Sequence, residues 1–309
     1  VLGSVINYFW AAEGNWRLLE GFVAFPAVIL FLGMLGRPES PRWLVLAGRD
    51  AEAEKELRRL SGRDDVSAEL LEIEESLGTE TGRLSELFSR SLFPLVLISL
   101  SLFVFTGMSG IDVVMYYGPK IFSEAGFGES TKFIAQMLMG LTNVLLTFVG
   151  AWVVDRLGRR PLLLIGCTGM AVTLLILGLL LKVEAADEIE AFLSLASIIL
   201  FISFFAVSLG GIPYLIMSEV FPLKARGPGM AVASCANWAM VAVTTLAFEP
   251  LALAVGMGNV FLIFAASMVA GVVFCYRYIP ETRGRTLEQI EANLHAGKAL
   301  RYLGDPVQP

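Results

Sequence analysis

The sequence predicts an all-α membrane protein, and three observations support this fold class. Of its 309 residues, 56% are hydrophobic and 17% are charged, whereas a soluble domain is roughly 25% charged. The charged residues avoid several windows of about 20 residues, the length that a helix needs to cross the hydrocarbon core. Lys and Arg are concentrated between alternate windows. The polar stretch Arg37–Arg90 separates the apolar segments into two groups.

The apolar windows are the predicted membrane spans. Five of them contain no Asp, Glu, Lys or Arg: Leu92–Ile111, Pro161–Leu181, Ala191–Ser218, Gly227–Phe248 and Gly256–Tyr276. Two more, Trp16–Leu35 and Thr131–Val154, carry charges only near an end. Residues 1–12 are apolar but too short to cross, so we expect the chain to begin inside a helix. The prediction is seven whole spans and one partial span.

The basic residues predict the orientation of these spans. Nineteen of the 23 Lys and Arg residues lie in Arg37–Arg90, Arg156–Arg160, Lys224–Arg226 and the tail from Arg277. With the spans above, all nineteen fall on one side of the membrane and the other four on the opposite side. The positive-inside rule makes the richer side cytoplasmic. We therefore expect the polar stretch and the C-terminus in the cytoplasm.

The polar stretch itself is predicted to form short amphipathic helices under the membrane domain. Asp50–Leu60 is rich in Ala, Glu, Lys and Arg, and Glu54 and Arg58 have the spacing of a favourable ion pair on a helix.

The composition argues against an enzyme and against a metal protein. The three cysteines lie in apolar spans, which is not the pattern of a disulfide framework. His295 is the only histidine. We find no Cys/His or Ser/His pair, no metal-ligand cluster and no phosphate loop, so we expect no enzymatic activity, no metal and no cofactor.

Five motifs in order carry a resemblance to a known family. They are Asn7-Tyr8 with Trp16-Arg17, the P-E-S-P-R-W-L segment Pro38–Leu44, the D-R-L-G-R-R segment Asp155–Arg160, the segment Gly211–Pro222 with Arg226, and the P-E-T-R-G-R-T-L segment Pro280–Leu287. Together they cover nearly the whole chain. The sequence resembles the sugar porter family of the major facilitator superfamily.

The resemblance implies a bundle of two six-span halves with the substrate site between them near the midplane. Residues 1–36 would be the last spans of the first half, 37–91 a cytoplasmic linker, 92–279 the complete second half and 280–309 a cytoplasmic tail. We expect about four further spans to precede this chain in the full protein.

Charged residues at the predicted cytoplasmic helix ends form the family's intracellular latch, by this resemblance. The latch residues are Glu39, Arg42, Asp155, Arg159, Arg160, Glu219 and Arg226. Opposite charges on the two half-bundles would pair when the cytoplasmic side is shut and separate when it opens. The alternative is that the basic residues only hold the loops in the cytosol, although topology alone requires no acids.

The predicted solute site departs from the family pattern in span seven. Ser109, Gly110 and the Tyr116-Tyr117 pair match that pattern, but Thr106 and Gly107 replace two glutamines and Asp112 replaces an asparagine. The resemblance implies a site made of eight residues: Asp112, Tyr116, Tyr117, Asn143, Phe205, Tyr214, Asn237 and Trp238. The alternatives are core packing for the aromatic residues and interhelical hydrogen bonding for the asparagines.

Two features of the spans predict function beyond the motifs. An acid at a helix centre in a membrane costs about 2.5–3.5 kcal/mol, so we expect Asp112 to face a cavity, contact the substrate and take part in proton exchange. Its alternative role is a structural acid near the outer mouth. Gly210, Gly211 and Pro213 predict a gating hinge in span ten, because proline bends a helix; the alternative is a static kink.

These observations favour uptake of a sugar or polyol by alternating access, with or without a proton. The expected partners are a small-molecule solute, a proton and the lipid bilayer of the plasma (inner) membrane. We expect no nucleic acid partner, and a monomer when the protein is full length. The alternatives are a charged or amine-bearing solute, a sugar-sensing receptor built on the transporter fold, and a degenerate remnant.

Overall fold

Every regular element of the described part of the chain is helical. The structure is a computed structural model that describes residues 17, 21–22, 24–63, 65–71, 73, 87–89, 92–183, 188–221, 223–285 and 287–305. Within these ranges lie α1 Ala24–Met34, α2 Pro41–Leu46, α3 Asp50–Ser61, α4 Phe93–Gly107, α5 Ile111–Glu124, α6 Glu129–Leu157, α7 Arg159–Leu180, α8 Glu188–Ala206, α9 Ile212–Val220, α10 Leu223–Val255, α11 Met257–Tyr278, α12 Leu287–His295 and the 3₁₀ helix Leu300–Tyr302.

The six spans predicted after residue 91 are confirmed. Six segments of the described chain are long and apolar enough to cross a membrane: Phe93–Glu124, Ile134–Leu157, Arg159–Leu180, Glu188–Ala206, Ala225–Val255 and Met257–Tyr278. The all-α prediction is also confirmed. Of the earlier spans, α1 is an apolar helix of 11 residues. The predicted partial span in residues 1–12 and the Asn7-Tyr8 motif lie outside the described residues.

The first of these spans is interrupted between α4 and α5. Gly110 is the N-cap of α5 and has φ +80°, a backbone conformation that favours glycine. The buried Ser109 hydroxyl donates to the Thr106 carbonyl and accepts from the backbone of Ile111, at 2.6 and 3.3 Å. Ser267 of α11 donates to the carbonyl of Met108 at 2.7 Å. These bonds satisfy backbone groups that water cannot reach inside a membrane.

A side chain on α6 compensates for a proline in α5. Pro119 lies inside α5 and has no N–H to donate to the carbonyl four residues earlier, that of Met115. The Gln136 amide donates to that carbonyl at 2.9 Å instead. The bond joins α5 to α6 and allows the helix to continue past the proline.

The span-ten window is also two helices, so the predicted hinge residues Gly210 and Gly211 lie between them. α8 ends at Ala206, and Pro213 lies in the first turn of α9, where a missing N–H costs no helical bond. The Gly210 N–H donates to the Phe205 carbonyl at 2.9 Å across the break. Pro213 therefore starts a helix, and the interruption lies in residues 207–211.

The linker contains short helices, as its composition predicts. Ser40 caps α2 by accepting from the backbone of Trp43 at 3.2 Å, and Pro41 occupies the first turn. These residues explain physically why the P-E-S-P-R-W-L segment starts a helix. The Glu54–Arg58 ion pair on α3 is confirmed at 2.6 Å.

The six-span bundle is held together by close helix contacts around a phenylalanine-rich core. α7 packs on α8 and α11, α4 on α10, and α6 on α5 and α8. A Cβ added to Gly258 would lie 2.6 Å from the Gly178 carbonyl oxygen, so glycines let α7 and α11 approach closely. The fully buried core residues include Phe103, Phe201 and Phe261.

Candidate functional site

Asp112 lies in the first turn of α5, just after the break in span seven. The positive end of a helix dipole stabilises a carboxylate there. The chain turns at residues 108–110 before α5 begins, so Asp112 follows a break within the span Phe93–Glu124. The side chain is half-buried.

Two of the span-seven departures from the family pattern, Gly107 and Thr106, are engaged within the bundle or with their own helix. A Cβ at Gly107 would lie 2.7 Å from Cγ of Met240 on α10, so a glutamine there would collide with that helix. The Thr106 hydroxyl donates to the Leu102 carbonyl of its own helix at 2.9 Å. Neither position offers an amide to a solute.

The Tyr pair on α5 divides between two environments. The Tyr117 hydroxyl donates to the Thr245 carbonyl of α10 at 3.4 Å, and its ring lies 4.8 Å from that of Phe248. Tyr116 is 60% exposed. Tyr117 thus packs α5 against α10, the alternative considered for the aromatic residues, while Tyr116 presents its ring outside the bundle.

The predicted amides lie on α6 and α10, which are two different walls of the bundle. Asn143 is half-buried; the Thr147 hydroxyl donates to its backbone carbonyl at 2.7 Å and lies 3.3 Å from its amide oxygen. The amide oxygen of Asn237 is buried and has no hydrogen-bond donor among the described residues. The neighbouring Trp238 is 65% exposed.

The break between α8 and α9 borders a cavity of about 300 Å³. Tyr214, Gly211 and Thr147 line it together with apolar residues of α6. Tyr214 meets Phe103 of α4 edge to face at 4.8 Å, and Phe205 is half-buried at the end of α8. The structure therefore brings Tyr214 and the Asn143–Thr147 pair to one region. Asp112 and Tyr116 do not line this cavity.

The predicted latch residues meet where α7 begins and α9 ends. The Arg159 guanidinium donates to both Glu219 oxygens, with contacts of 2.7, 3.0 and 3.2 Å. It also lies 3.4 Å from the Asp155 carboxylate, which is 75% exposed. The latch prediction had such charges pair across two half-bundles, but this cluster joins helices of a single half.

Glu281 and Thr282, which were not among the predicted latch residues, complete this cluster. The Glu281 carboxylate accepts from the backbone N–H groups of Arg159 and Arg160 at 3.1 Å each, and so caps α7. The Thr282 hydroxyl donates to Glu219. Both residues belong to the P-E-T-R-G-R-T-L segment, so that motif could have identified them from the sequence as members of the cluster.

The other predicted latch residues have different surroundings. Arg160 donates to the Tyr276 carbonyl at 2.9 Å, and the Nε of Arg226 is buried with no acceptor in the described chain. Glu39 and Arg42 lie at the start of α2.

A family model described as "Sugar (and other) transporter" matches residues 1–294. The chain belongs to this family of sugar transporters. Together with the six apolar segments of spanning length, this membership makes the chain a multi-pass integral membrane protein of the sugar transporter family.

Individual members of this sugar transporter family are similar in sequence to this chain over most of its length. The putative metabolite transport protein YwtG of Bacillus subtilis (strain 168) is 34% identical over 294 residues, covering 95% of this chain and 64% of that protein. The D-xylose transporter of Levilactobacillus brevis is 34% identical over 299 residues, covering 96% and 65%. The chain thus spans less than two thirds of the length of these relatives.

The fold is that of the major facilitator superfamily. The structure of the proton:xylose symporter XylE bound to 6-bromo-6-deoxy-D-glucose matches with a TM-score of 0.74 and 29% identity, covering 94% of this chain and 63% of that one. An inward open conformation of XylE from E. coli matches with a TM-score of 0.76 and 28% identity, covering 94% and 61%.

Proposed function

We propose that the chain forms one half of a transporter that moves a sugar or polyol by alternating access. The similar proteins named above include a D-xylose transporter and a proton:xylose symporter. For this chain, the supporting observation is the exposed face of α6 and α10. Only 22% of the α6 window and 11% of the α10 window are buried, against 56% in α7 and 50% in α11. Two helices with so little buried surface need another partner, either lipid or a second bundle.

Polar side chains favour a second bundle over lipid on this face. Asn143 and Thr147 lie on α6, and Asn237 lies on α10 beside the exposed Trp238. Polar residues within membrane spans face a bundle interior or a water-filled cavity. We therefore assign this face to a central cavity between the two halves of the transporter.

The chemistry of the amides suits a hydroxylated solute. An amide donates and accepts hydrogen bonds, as a sugar hydroxyl does. The Asn237 amide oxygen has no donor among the described residues, and an unpaired buried acceptor is costly. The side chain gains a bond by turning toward a solute hydroxyl in the cavity. Tyr116 and Tyr214 are assigned as aromatic walls because both are exposed.

The interruptions and the charged cluster suggest how access alternates. The breaks at residues 108–110 and 207–211 allow α5 and α9 to move relative to α4 and α8. The Arg159–Glu219 cluster holds α9 to α7 at one end. We assign that end to the cytoplasmic side because the basic residues accumulate there. We assign the whole bundle to the plasma (inner) membrane. We also propose the predicted division of the chain: the last spans of the first half in residues 1–36, the linker in 37–91, the second half in 92–279 and the tail in 280–309.

The test is uptake by cells that lack their own sugar uptake and express the complete product of the gene. The panel holds D-xylose, L-arabinose, D-galactose and myo-inositol, each with and without a collapsed proton gradient. We expect Asn143→Ala and Asn237→Ala to raise the KM for the accepted solute about tenfold, the effect of one lost hydrogen bond to a ligand. Asn259→Ala is the control, because the Asn259 amide at the start of α11 already donates to the Val255 carbonyl at the end of α10.

Two results would contradict the proposal in different ways. Rejection of every sugar and polyol by a folded protein at the cell surface would exclude the solute class. An unchanged KM in both asparagine variants would exclude the assigned face while leaving transport intact.

Asp112 supports a second candidate, a charged or amine-bearing solute. Asp112 is a half-buried carboxylate at a position where the family pattern has an asparagine. Such a carboxylate can bind a cationic solute or take up and release a proton. Asp112→Asn distinguishes the candidates. If the variant still accumulates the solute fully in response to the proton gradient, Asp112 has no proton role. If the variant loses only the uptake of amine-bearing solutes, the Asp112 carboxylate recognises their charge.

A further inference from the structure

The C-terminal tail folds back against the Arg159 end of the bundle and closes a cavity of about 270 Å³. Four arginines line it, with two acidic residues: Arg160, Arg283, Arg285 and Arg301, with Glu281 and Asp305. We infer that this tail pocket binds a phosphate group, carried by an anionic lipid or by a soluble phosphate compound. The pocket is separate from the face of α6 and α10 assigned to the transported solute.

The charges in the tail pocket do not cancel. Glu281 already accepts from three backbone N–H groups, those of Arg159, Arg160 and Arg283, at 3.1, 3.1 and 3.0 Å. Among the described residues, no carboxylate lies in salt-bridge distance of the four arginine side chains that line the pocket. Two carboxylates against four guanidinium groups leave an excess of positive charge. An anion is the ligand that this excess favours.

Two of the arginines are held in place by other contacts. The Arg301 guanidinium stacks over the Tyr276 ring, 4.9 Å from its centroid. Arg160 donates one N–H to the Tyr276 carbonyl at 2.9 Å, and its Nε is buried without an acceptor. A buried donor of this kind is costly unless a ligand oxygen accepts from it. The arginines are thus partly preorganised, which lowers the cost of binding.

The tail is folded in this region. The Asn293 amide on α12 donates to the carbonyls of Leu303 and Asp305 at 2.9 and 2.8 Å. Leu303 is fully buried. The Asn293 bonds hold the segment that carries Arg301 and Asp305 to α12, and Leu303 belongs to the core cluster of the bundle, so the pocket has a defined wall.

The depth and size of the pocket fit a phosphate group. It lies where α7 begins, at Arg159, and α11 ends, at Tyr278, and the ends of spans lie at the level of lipid headgroups. Basic pockets at this level bind phospholipid headgroups. Its volume is just below the range of about 300–1,000 Å³ typical of sites for larger ligands. The planar fork of arginine matches the geometry of phosphate oxygens.

The experiment uses the complete product of the gene in two arms. In detergent without lipid, thermal unfolding is followed against inorganic phosphate, with potassium chloride at equal ionic strength as reference. In the second arm, the protein is reconstituted in phosphatidylcholine nanodiscs with or without phosphatidylglycerol, and native mass spectrometry counts the retained phosphatidylglycerol. The variants are Arg283→Gln with Arg285→Gln, and Arg301→Gln separately. Arg277→Gln is the matched control, because it removes an exposed arginine that does not line the pocket.

We expect the pocket variants to raise the half-saturating phosphate concentration, or to lower phosphatidylglycerol retention, about tenfold, while the control stays near wild type. Dependence on the arginines in the phosphate arm alone identifies a soluble ligand, and dependence in the lipid arm identifies a headgroup. The inference is overturned if wild-type protein responds to phosphate and chloride alike and retains no phosphatidylglycerol. It is also overturned if the pocket variants match the Arg277 control in both arms.

Discussion

The bond between Arg159 and Glu219 should contribute more to stability than any exposed ion pair of this chain. The change is Glu219→Gln, which keeps the shape of the side chain and removes its charge. The side chains of Arg159 and Glu219 are only 12% and 25% exposed, and their closest contact is 2.7 Å. Removing one partner of a buried pair costs about 3–5 kcal/mol, and of an exposed pair about 0.2–1 kcal/mol. Because this pair is partly exposed and Arg159 keeps Asp155 at 3.4 Å, we expect a coupling between these two ranges, about 2 kcal/mol.

A double-mutant cycle with Arg159→Gln, Glu219→Gln and both changes measures this coupling from unfolding in mixed micelles. The chain offers a matched control in Arg58 and Glu54, which lie at 2.6 Å but are 53% and 42% exposed. That pair should couple by about 0.3–0.5 kcal/mol. A coupling for Arg159 and Glu219 no larger than that of the control pair would refute the reasoning that burial strengthens this ion pair.

Two glycines give further predictions. Gly158 has φ +92°, and a Cβ there would lie 2.6 Å from the Glu281 carboxylate that caps α7. Gly158→Ala should therefore destabilise the protein by more than the backbone strain of about 1–2 kcal/mol, as measured by thermal unfolding. Gly107→Gln, which restores a residue of the family pattern, should lower the yield of folded protein because of the collision with Met240. Met240→Ala in the same protein should recover part of that yield, as judged by monodisperse elution in detergent.

The controls for these predictions come from the same chain. Gly297 also has positive φ, +72°, but an added Cβ would meet nothing within 4 Å. Gly297→Ala should show only the strain, and an equal loss in both alanine variants would argue against the Glu281 contact. Normal folding of Gly107→Gln without the second change would show that α10 yields to the larger side chain.

The sequence alone determined the six spans after residue 91 and the start of the helix α2. Runs of about 20 uncharged residues identify spans because hydrocarbon excludes charge over that whole length. Ser40 and Pro41 determine the start of α2 because the cap and its helix are neighbours along the chain. The Glu54–Arg58 pair follows from helical spacing in the same way. Each of these signals acts within a few turns of helix.

Only the tertiary structure decided where the spans are interrupted and what each site residue contacts. Charge-free windows continue through residues 108–110 and 207–211, because a break in a helix needs no charged residue. Ser109 and Ser267 satisfy the backbone at the first break, and the Gly210 N–H bonds to the Phe205 carbonyl at the second. The capping of α7 by Glu281 joins residues more than a hundred positions apart, and so does the collision that excludes a side chain at Gly107. Such contacts depend on which helices pack together, and composition and periodicity report only the local chain. Motifs could therefore identify the candidate site residues from the sequence. The contacts that these residues make could be known only from the folded bundle.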